Sequence, residues 1–206
     1  QIFITAAFLV SMQINGTLTT IINLPVFGGV DFGLLYYPIS FLLIIGMVNA
    51  VNLTDGIDGL AASVTFVSML GFMFIAGWLG NIQMALFAAA ITGGCAGFLC
   101  WNFYPAKCFM GDTGSMFLGG AVVAVAYGMG RPELLLFFGV IYLAEAFSVM
   151  IQVTYFKLTH GKRIFKMSPI HHHFEMCGWS EVRIDFVFSL VTLTFVFLGC
   201  MYIYIS

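Results

Sequence analysis

The sequence predicts an all-α membrane protein that crosses the bilayer several times, organised as one domain over residues 1–206. Of its 206 residues, 61% are hydrophobic and only 8% are charged, and the mean hydropathy is +1.05. A chain of this composition has too little polar surface to cover a water-soluble domain. Its apolar stretches are continuous rather than alternating. This pattern favours helices over a transmembrane barrel, the other structure that satisfies its backbone in lipid.

Long stretches without charge locate the predicted membrane helices. No charged residue occurs between Asp31 and Asp55, between Asp58 and Lys107, or after Asp185. A helix needs about 20 apolar residues to cross a bilayer. We therefore predict about seven spans, near residues 2–14, 35–51, 61–78, 84–101, 116–129, 134–156 and 185–204. The fifth is short, so we expect it to be tilted, broken or shielded by neighbouring helices. Between the first two spans, apolar residues flank a glycine pair in residues 24–32, which predicts a small surface hairpin.

This set of spans assigns each loop to one side of the membrane. The loops at 52–60, 102–115 and 157–184 share one face, and the predicted hairpin lies on the other. Six of the seven basic residues fall in the first group of loops: Lys107, Lys157, Lys162, Arg163, Lys166 and Arg183; Arg131 is the exception. Because cytoplasmic loops carry most Lys and Arg residues, we predict that this face is cytoplasmic and the hairpin extracytoplasmic.

Charge and cysteine patterns argue against several other classes. The sequence has no basic stripe of the kind that would indicate a nucleic-acid partner. The five cysteines show no C-x-x-C spacing, so we interpret them as small apolar residues rather than metal ligands or disulfides. The basic stretch at 162–166 is interpreted mainly as a topology signal, and attraction of anionic headgroups or substrate is a second interpretation.

Asn52, Asp55 and Asp58 form the first polar cluster, and a glycine follows each aspartate. In a helical turn the two carboxylates would share a face. Such a pair could hold Mg²⁺, position a substrate or move a proton. Capping of the following helix is the structural alternative, and it accounts for one aspartate more readily than for all three polar residues.

Residues 109–115 form the second cluster, with the sequence Phe-Met-Gly-Asp-Thr-Gly-Ser just before the fifth predicted span. Asp112 suits Mg²⁺, which prefers one or two carboxylates plus phosphate oxygens and water. The alternative is helix capping by Asp112, Thr113 or Ser115. Phe109 is either an anchor at the lipid interface or a stacking platform for a base.

His171, His172 and His173 form the third cluster. Three consecutive histidines cannot face one way on a regular helix, so an extended or turn segment is predicted, as Pro169 also favours. We prefer imidazole contacts with phosphate or sugar groups over a zinc site, for which this spacing is unusual. Glu145 lies near the middle of the sixth span. A functional role is one hypothesis. We favour the other, a protonated or hydrogen-bonded Glu145 that holds a broken helix, because its predicted depth is far from the loops.

Together these motifs resemble a known family. Residues 49–61 and residues 102–106 with 109–115 resemble two signatures of the polyprenyl-phosphate N-acetylhexosamine-1-phosphate transferases. Residues 168–175, followed by Gly178-Trp179, are similar to the form in the branch that acts on phospho-MurNAc-pentapeptide. The resemblance covers essentially the whole chain, in order.

The resemblance implies a Mg²⁺-dependent reaction in the bacterial plasma membrane, with the active site on its cytoplasmic face. In this reaction phospho-MurNAc-pentapeptide passes from UDP-MurNAc-pentapeptide to undecaprenyl phosphate, giving lipid I and UMP. The resemblance also implies a homodimer. It assigns catalytic roles to Asn52, Asp55, Asp58 and Asp112, with Asp112 as the metal ligand. It implies that substrate contacts come from Asn102, Phe109 as a uracil platform, Gly59, Leu60, His171, His172 and His173.

One family feature is missing, because the sequence contains no adjacent Asp-Asp pair. The resemblance implies a fold with about ten membrane helices, each of about 20 residues. We interpret the chain as the later two thirds of this fold, and we expect these residues alone to be inactive. A GlcNAc-1-phosphate transferase is the nearest rival function, and the histidine tract disfavours it. A cation or proton transporter using Glu145 and the aspartates is more distant, since most ionisable groups lie at one predicted surface. A purely structural protein leaves the three clusters unexplained.

Overall fold

The computed structural model describes residues 1–24 and 28–205, and this part of the chain is mostly helical. Two antiparallel strands, β1 (Ile21–Leu24) and β2 (Gly28–Asp31), precede a 3₁₀ turn (Gly33–Leu35) that leads into the second helix. The helices are α1 (Ile2–Ile14), α2 (Tyr36–Thr54), α3 (Leu60–Trp78), α4 (Ile82–Asn102), α5 (Gly111–Gly128), α6 (Leu134–Phe138), α7 (Val140–Leu158), α8 (Ile170–Glu175) and α9 (Glu181–Ile205).

This architecture confirms the prediction of an all-α polytopic membrane protein. Within the described ranges, four helices are long and apolar enough to cross a membrane by length and composition: Gly33–Thr54, Leu60–Trp78, Ile82–Asn102 and Glu181–Ile205. Helices also form at the other three predicted positions, and membrane crossing by these stays a prediction. Of these, α1 is shorter, and α5 and α7 include polar groups such as Asp112 and Glu145.

The fifth predicted span begins earlier than expected. The prediction that residues 111–115 precede this helix is wrong, because they form the first turn of α5. An acidic residue is favourable at a helix N-terminus, and Asp112 occupies this turn. The expected shielding is present, since α5 packs against α2 with Gly119 closely apposed to the Val48 backbone. A Cβ atom added at Gly119 would lie 2.8 Å from the Val48 Cα atom.

The sixth predicted span is divided at Gly139 into α6 and α7. The Ser68 hydroxyl of α3 donates a hydrogen bond to the Phe138 carbonyl at this break, over 2.7 Å. The Phe138 ring also packs edge-on against Phe72, with ring centroids 4.6 Å apart. Because α3 contacts both α4 and α9 and is largely buried, it forms the centre of the bundle.

The predicted hairpin is present as the β1–β2 pair, in which Ile21 is opposite Asp31 and Leu24 is opposite Gly28. Its connecting residues, 25–27, lie outside the described part of the chain. The Tyr202 hydroxyl of α9 donates to the Asn23 carbonyl over 2.8 Å. This contact fixes the hairpin at the C-terminal end of α9, away from the polar clusters at its N-terminal end.

Candidate active site

Asn52 joins the first two polar clusters. It lies in the last turn of α2, and its side-chain amide donates to Asp112 Oδ1 over 3.2 Å and to Ser115 Oγ over 2.9 Å. These residues lie in the first two turns of α5, about 60 positions further along the chain. The fold thus brings together two motifs that the sequence separates. Ser115, which sequence reasoning considered only as a helix cap, is one of the two acceptors for Asn52.

Asp55 and Asp112 form a pair of neighbouring carboxylates at this junction. Asp55 directly follows α2, whereas Asp112 is exposed in the first turn of α5. Burial raises the pKa of Asp55 to about 6, and the negative charge of Asp112 adds to this rise. Two mutually repelling carboxylates favour a proton or a cation between them.

Asp58 is held from both sides. Its backbone N–H donates to Glu181 Oε2 of α9 over 3.0 Å, and its Oδ2 atom accepts from the Ala106 N–H over 2.9 Å. Glu181 was not among the residues singled out from the sequence, which gave no signal that the start of α9 returns to this loop.

Gly59 adopts a left-handed conformation, with φ at +81°. A Cβ atom at this position would lie 2.7 Å from Asp185 Oδ2 and 3.3 Å from the Phe103 ring, so the loop passes close to both α9 and the 103–110 segment. The Leu60 side chain, in contrast, is fully buried in the hydrophobic core. This side chain packs as the first core residue of α3, and the role of Leu60 in substrate binding stays a prediction.

Asn102 and Phe109 bracket the loop between α4 and α5. The Asn102 amide is buried and donates to the Cys108 carbonyl over 2.8 Å, so its NH₂ group holds the loop rather than facing a ligand. The role of Asn102 in substrate binding stays a prediction. Phe109 is 74% exposed, which both interpretations from the sequence allow, an anchor at the lipid interface and a stacking platform for a base.

The three histidines do not form an extended or turn segment, and that prediction is wrong. They lie in the short helix α8, where each imidazole meets a different group. His172 Nδ1 contacts Glu175 Oε2, and His173 Nδ1 accepts from the Lys166 N–H over 3.1 Å. Both rings are partly exposed. His171 is fully buried, and its role in substrate binding stays a prediction.

Glu145 is the partner of His171. Its Oε1 atom lies 3.1 Å from His171 Nδ1, and both side chains are fully buried, although the two groups are not aligned for a hydrogen bond. Gly56 of the first cluster packs on the same imidazole, and a Cβ atom there would collide with Nε2. The expectation that Glu145 lies far from the loop clusters is therefore wrong. The helix break is at Gly139, not at Glu145.

Over residues 1–24 and 28–205, no group of three or more His, Cys, Asp or Glu side chains is arranged to hold a metal ion. A metal held here by fewer protein ligands would need oxygen atoms from substrate or water. Asp112, with Asp55 beside it and Asn52 bonded to it, supplies such a partial set.

Fold and site together define a multi-pass membrane protein with a carboxylate-rich site at the ends of its helices. Residues 1–130 match the model of glycosyl transferase family 4, and the chain belongs to this family. It is 51% identical over 176 residues to a phospho-N-acetylmuramoyl-pentapeptide-transferase of Clostridioides difficile (strain 630), covering 85% of this chain and 54% of that protein.

Two other similar proteins carry the same name. The relative from Thermoanaerobacter sp. (strain X514) is 53% identical over 170 residues, covering 82% of this chain and 54% of that protein. The relative from Caldanaerobacter subterraneus subsp. tengcongensis is 49% identical over 194 residues, covering 94% of this chain and 61% of that protein. The chain thus spans between half and two thirds of the length of the curated relatives it matches.

Proposed function

We propose that the complete protein transfers phospho-MurNAc-pentapeptide from UDP-MurNAc-pentapeptide to undecaprenyl phosphate, giving lipid I and UMP. This proposal rests on the hydrogen bonds from Asn52 to Asp112 and Ser115, which bring the second polar motif next to the first, with Asp112 near Asp55. The names of the similar proteins support the choice of substrates. Phosphoryl transfer depends mainly on positioning and on stabilisation of charge, and a cluster of this kind provides both.

Mg²⁺ is part of the proposal, with Asp112 as its protein ligand. Asp112 is exposed and adjacent to a second carboxylate, and the residues present therefore fit an ion that keeps water and phosphate oxygens as its other ligands. Bound there, the ion would neutralise the charge of the transferred phosphate groups. Asn52 would orient the Asp112 carboxylate, and Asp55 would contribute a negative charge whose protonation depends on pH.

The nucleotide and the sugar of the UDP donor would contact different parts of the site. Phe109 would stack on the uracil ring, since its face is open. His172 and His173 would contact the sugar or phosphate region with their exposed ring edges. His171 and Asn102 would act indirectly, because their side chains are buried in contacts that hold α8 and the 103–110 loop.

The same proposal places the site at the cytoplasmic face of a bacterial plasma membrane. The distribution of Lys and Arg residues supports this orientation, with Arg131 alone outside the loops of that face. A cytosolic nucleotide donor and a lipid phosphate acceptor can meet only at such a surface. We include a homodimer in the proposal on the resemblance to the family.

The proposal is tested by UMP release from the complete purified protein with undecaprenyl phosphate and Mg²⁺. UDP-MurNAc-pentapeptide and UDP-GlcNAc are offered in parallel reactions, and we expect release from the first only. Release from UDP-GlcNAc alone would instead support transfer of GlcNAc-1-phosphate. Release from neither donor in a folded sample would contradict both functions and favour the transporter interpretation.

A further inference from the structure

Three segments of the chain meet at the first turn of α9. Glu181 Oε2 accepts the Asp58 N–H over 3.0 Å, and Asp58 Oδ2 accepts the Ala106 N–H over 2.9 Å. The first contact joins residues 123 positions apart, and the second joins residues 48 positions apart. A continuous chain of hydrogen bonds therefore runs from α9 through the 55–59 loop to the 103–110 loop.

Asp58 is fixed at two atoms by these contacts. Glu181 holds its backbone, and the bond to Ala106 holds its carboxylate. Ala106 in turn lies three residues before the exposed Phe109. The 103–110 loop has only a few other anchors, among them the Asn102 amide on the Cys108 carbonyl and the Lys107 N–H on the Trp101 carbonyl. The position of Phe109 thus depends in part on the Asp58 carboxylate of the 55–59 loop.

The charges around Glu181 do not account for its position. Its acidic neighbours are Asp58 and the buried Asp185, one turn further along α9. Within the described residues no basic side chain lies within ion-pair distance of Glu181. The nearby Arg183 instead stacks over the Trp179 ring, 4.1 Å from its centroid. A carboxylate placed among like charges without a cationic partner needs another favourable contact, and the Asp58 N–H supplies one.

We propose that Glu181 is a positioning residue for binding of the UDP donor. It holds Asp58, which holds Ala106, and this arrangement keeps Phe109 where it stacks on the uracil ring. The inference rests on the proposed function, since it assumes that Phe109 meets the nucleotide. Glu181 does not touch the substrate in this account, and its effect reaches the donor only through Asp58 and the loop.

A structural alternative also explains an acidic residue at this place. A negative charge in the first turn of a helix is stabilised by the helix dipole, and Glu181 lies in the first turn of α9. The two roles separate chemically. Glu181→Gln loses the charge but keeps an oxygen that accepts the Asp58 N–H, whereas Glu181→Ala loses both. A dipole role is therefore lost in both variants, and a positioning role is lost only in the alanine variant.

The experiment uses the complete protein and measures kcat and KM for UDP-MurNAc-pentapeptide in wild type, Glu181→Gln and Glu181→Ala. We expect Glu181→Ala to raise KM by about tenfold with little change in kcat, because the variant loses the hydrogen bond that holds Asp58 and, through Asp58, the loop that positions Phe109. A hydrogen bond to a charged group contributes enough free energy to account for about this factor. Glu181→Gln should stay close to wild type. Asp31→Asn, which removes a carboxylate from the distant hairpin, is the matched control and should leave KM unchanged.

Hydrogen exchange in the peptide covering residues 103–109 gives a second measurement that does not need turnover. Faster exchange in Glu181→Ala, with wild-type exchange in Glu181→Gln, supports the relay even if the donor proves to be a different nucleotide sugar. Equal loss in both variants would overturn the inference in favour of the dipole role. Wild-type KM and exchange in both variants would overturn it as well. The proposed function is judged separately, by wild-type turnover.

Discussion

The Glu145 carboxylate lies 3.1 Å from the His171 imidazole, and neither side chain is exposed to solvent. The pair links α7 to α8 inside the protein, next to Gly56 of the first polar cluster. Burying two ionisable groups is costly unless each compensates the other. The positions of α8 and of the Gly56 loop therefore depend on this buried pair.

Removing one member of this pair should leave the other buried without a partner. We expect Glu145→Leu and His171→Leu each to lower the free energy of unfolding by about 3 kcal/mol, measured by reversible unfolding in mixed micelles. The double variant serves as the control, and it should be more stable than the sum of the single effects predicts by at least about 1 kcal/mol. Strictly additive effects would show that the two groups do not interact.

The apparent Mg²⁺ affinity of the complete protein should depend on pH through the protonation of Asp55. Its pKa is raised to about 6, and protonation removes one negative charge from the neighbourhood of Asp112. Below pH 6 the apparent Mg²⁺ affinity of the complete protein should therefore fall by up to about tenfold per pH unit. The measurement is the Mg²⁺ concentration for half-maximal UMP release between pH 5 and 8. An affinity that is flat across this range would contradict the prediction.

The raised pKa of Asp55 should also affect folding stability, which is expected to rise at low pH where the predicted Mg²⁺ affinity falls. The folded-state pKa lies above the ordinary value of 3.8, so the folded protein binds more protons than the unfolded chain between these two values. In the absence of metal, the Asp55 contribution to stability should therefore rise as the pH falls through 6 toward 4. Asp55→Asn should remove this contribution, which a comparison of the two unfolding profiles over that range would measure.

Gly59 offers a test of the close packing between the 55–59 loop and α9. Gly59→Ala should destabilise the fold by about 1–3 kcal/mol, because an L-residue is strained at φ of +81° and its Cβ atom would meet Asp185. Gly130→Ala is the matched control, with a similar φ of +67° and nothing within 4 Å of the added atom. Equal costs for the two substitutions would mean that contact with Asp185 contributes nothing.

Much of the helical framework could be predicted from the sequence, because a membrane helix is specified by its own apolar length. Helix ends were harder to predict. The first turn of α5 contains Gly111 and Asp112, which lower its hydropathy while suiting a helix N-terminus. A hydropathy pattern therefore placed the start of this helix several residues too late.

The site was only partly predictable for a different reason. The number and order of the predicted spans indicated that Asp55 and Asp112 would lie on the same side of the membrane, and the structure brings them together. The partners of buried polar groups depend on how α8 and α9 fold back, which no local pattern encodes. The contacts of His171 with Glu145 and of Asp58 with Glu181 were missed for this reason.

The most direct test of the central claim, that phosphoryl transfer takes place at Asp112, is Mg²⁺-dependent UMP release by Asp112→Asn in the complete protein. We predict a fall in turnover of at least about a hundredfold, because the substitution removes the proposed metal ligand while keeping a side chain of the same shape. The variant should purify and unfold like the wild type. Turnover close to that of wild type, in a folded sample, would contradict the assignment of Asp112 and of the site built around it.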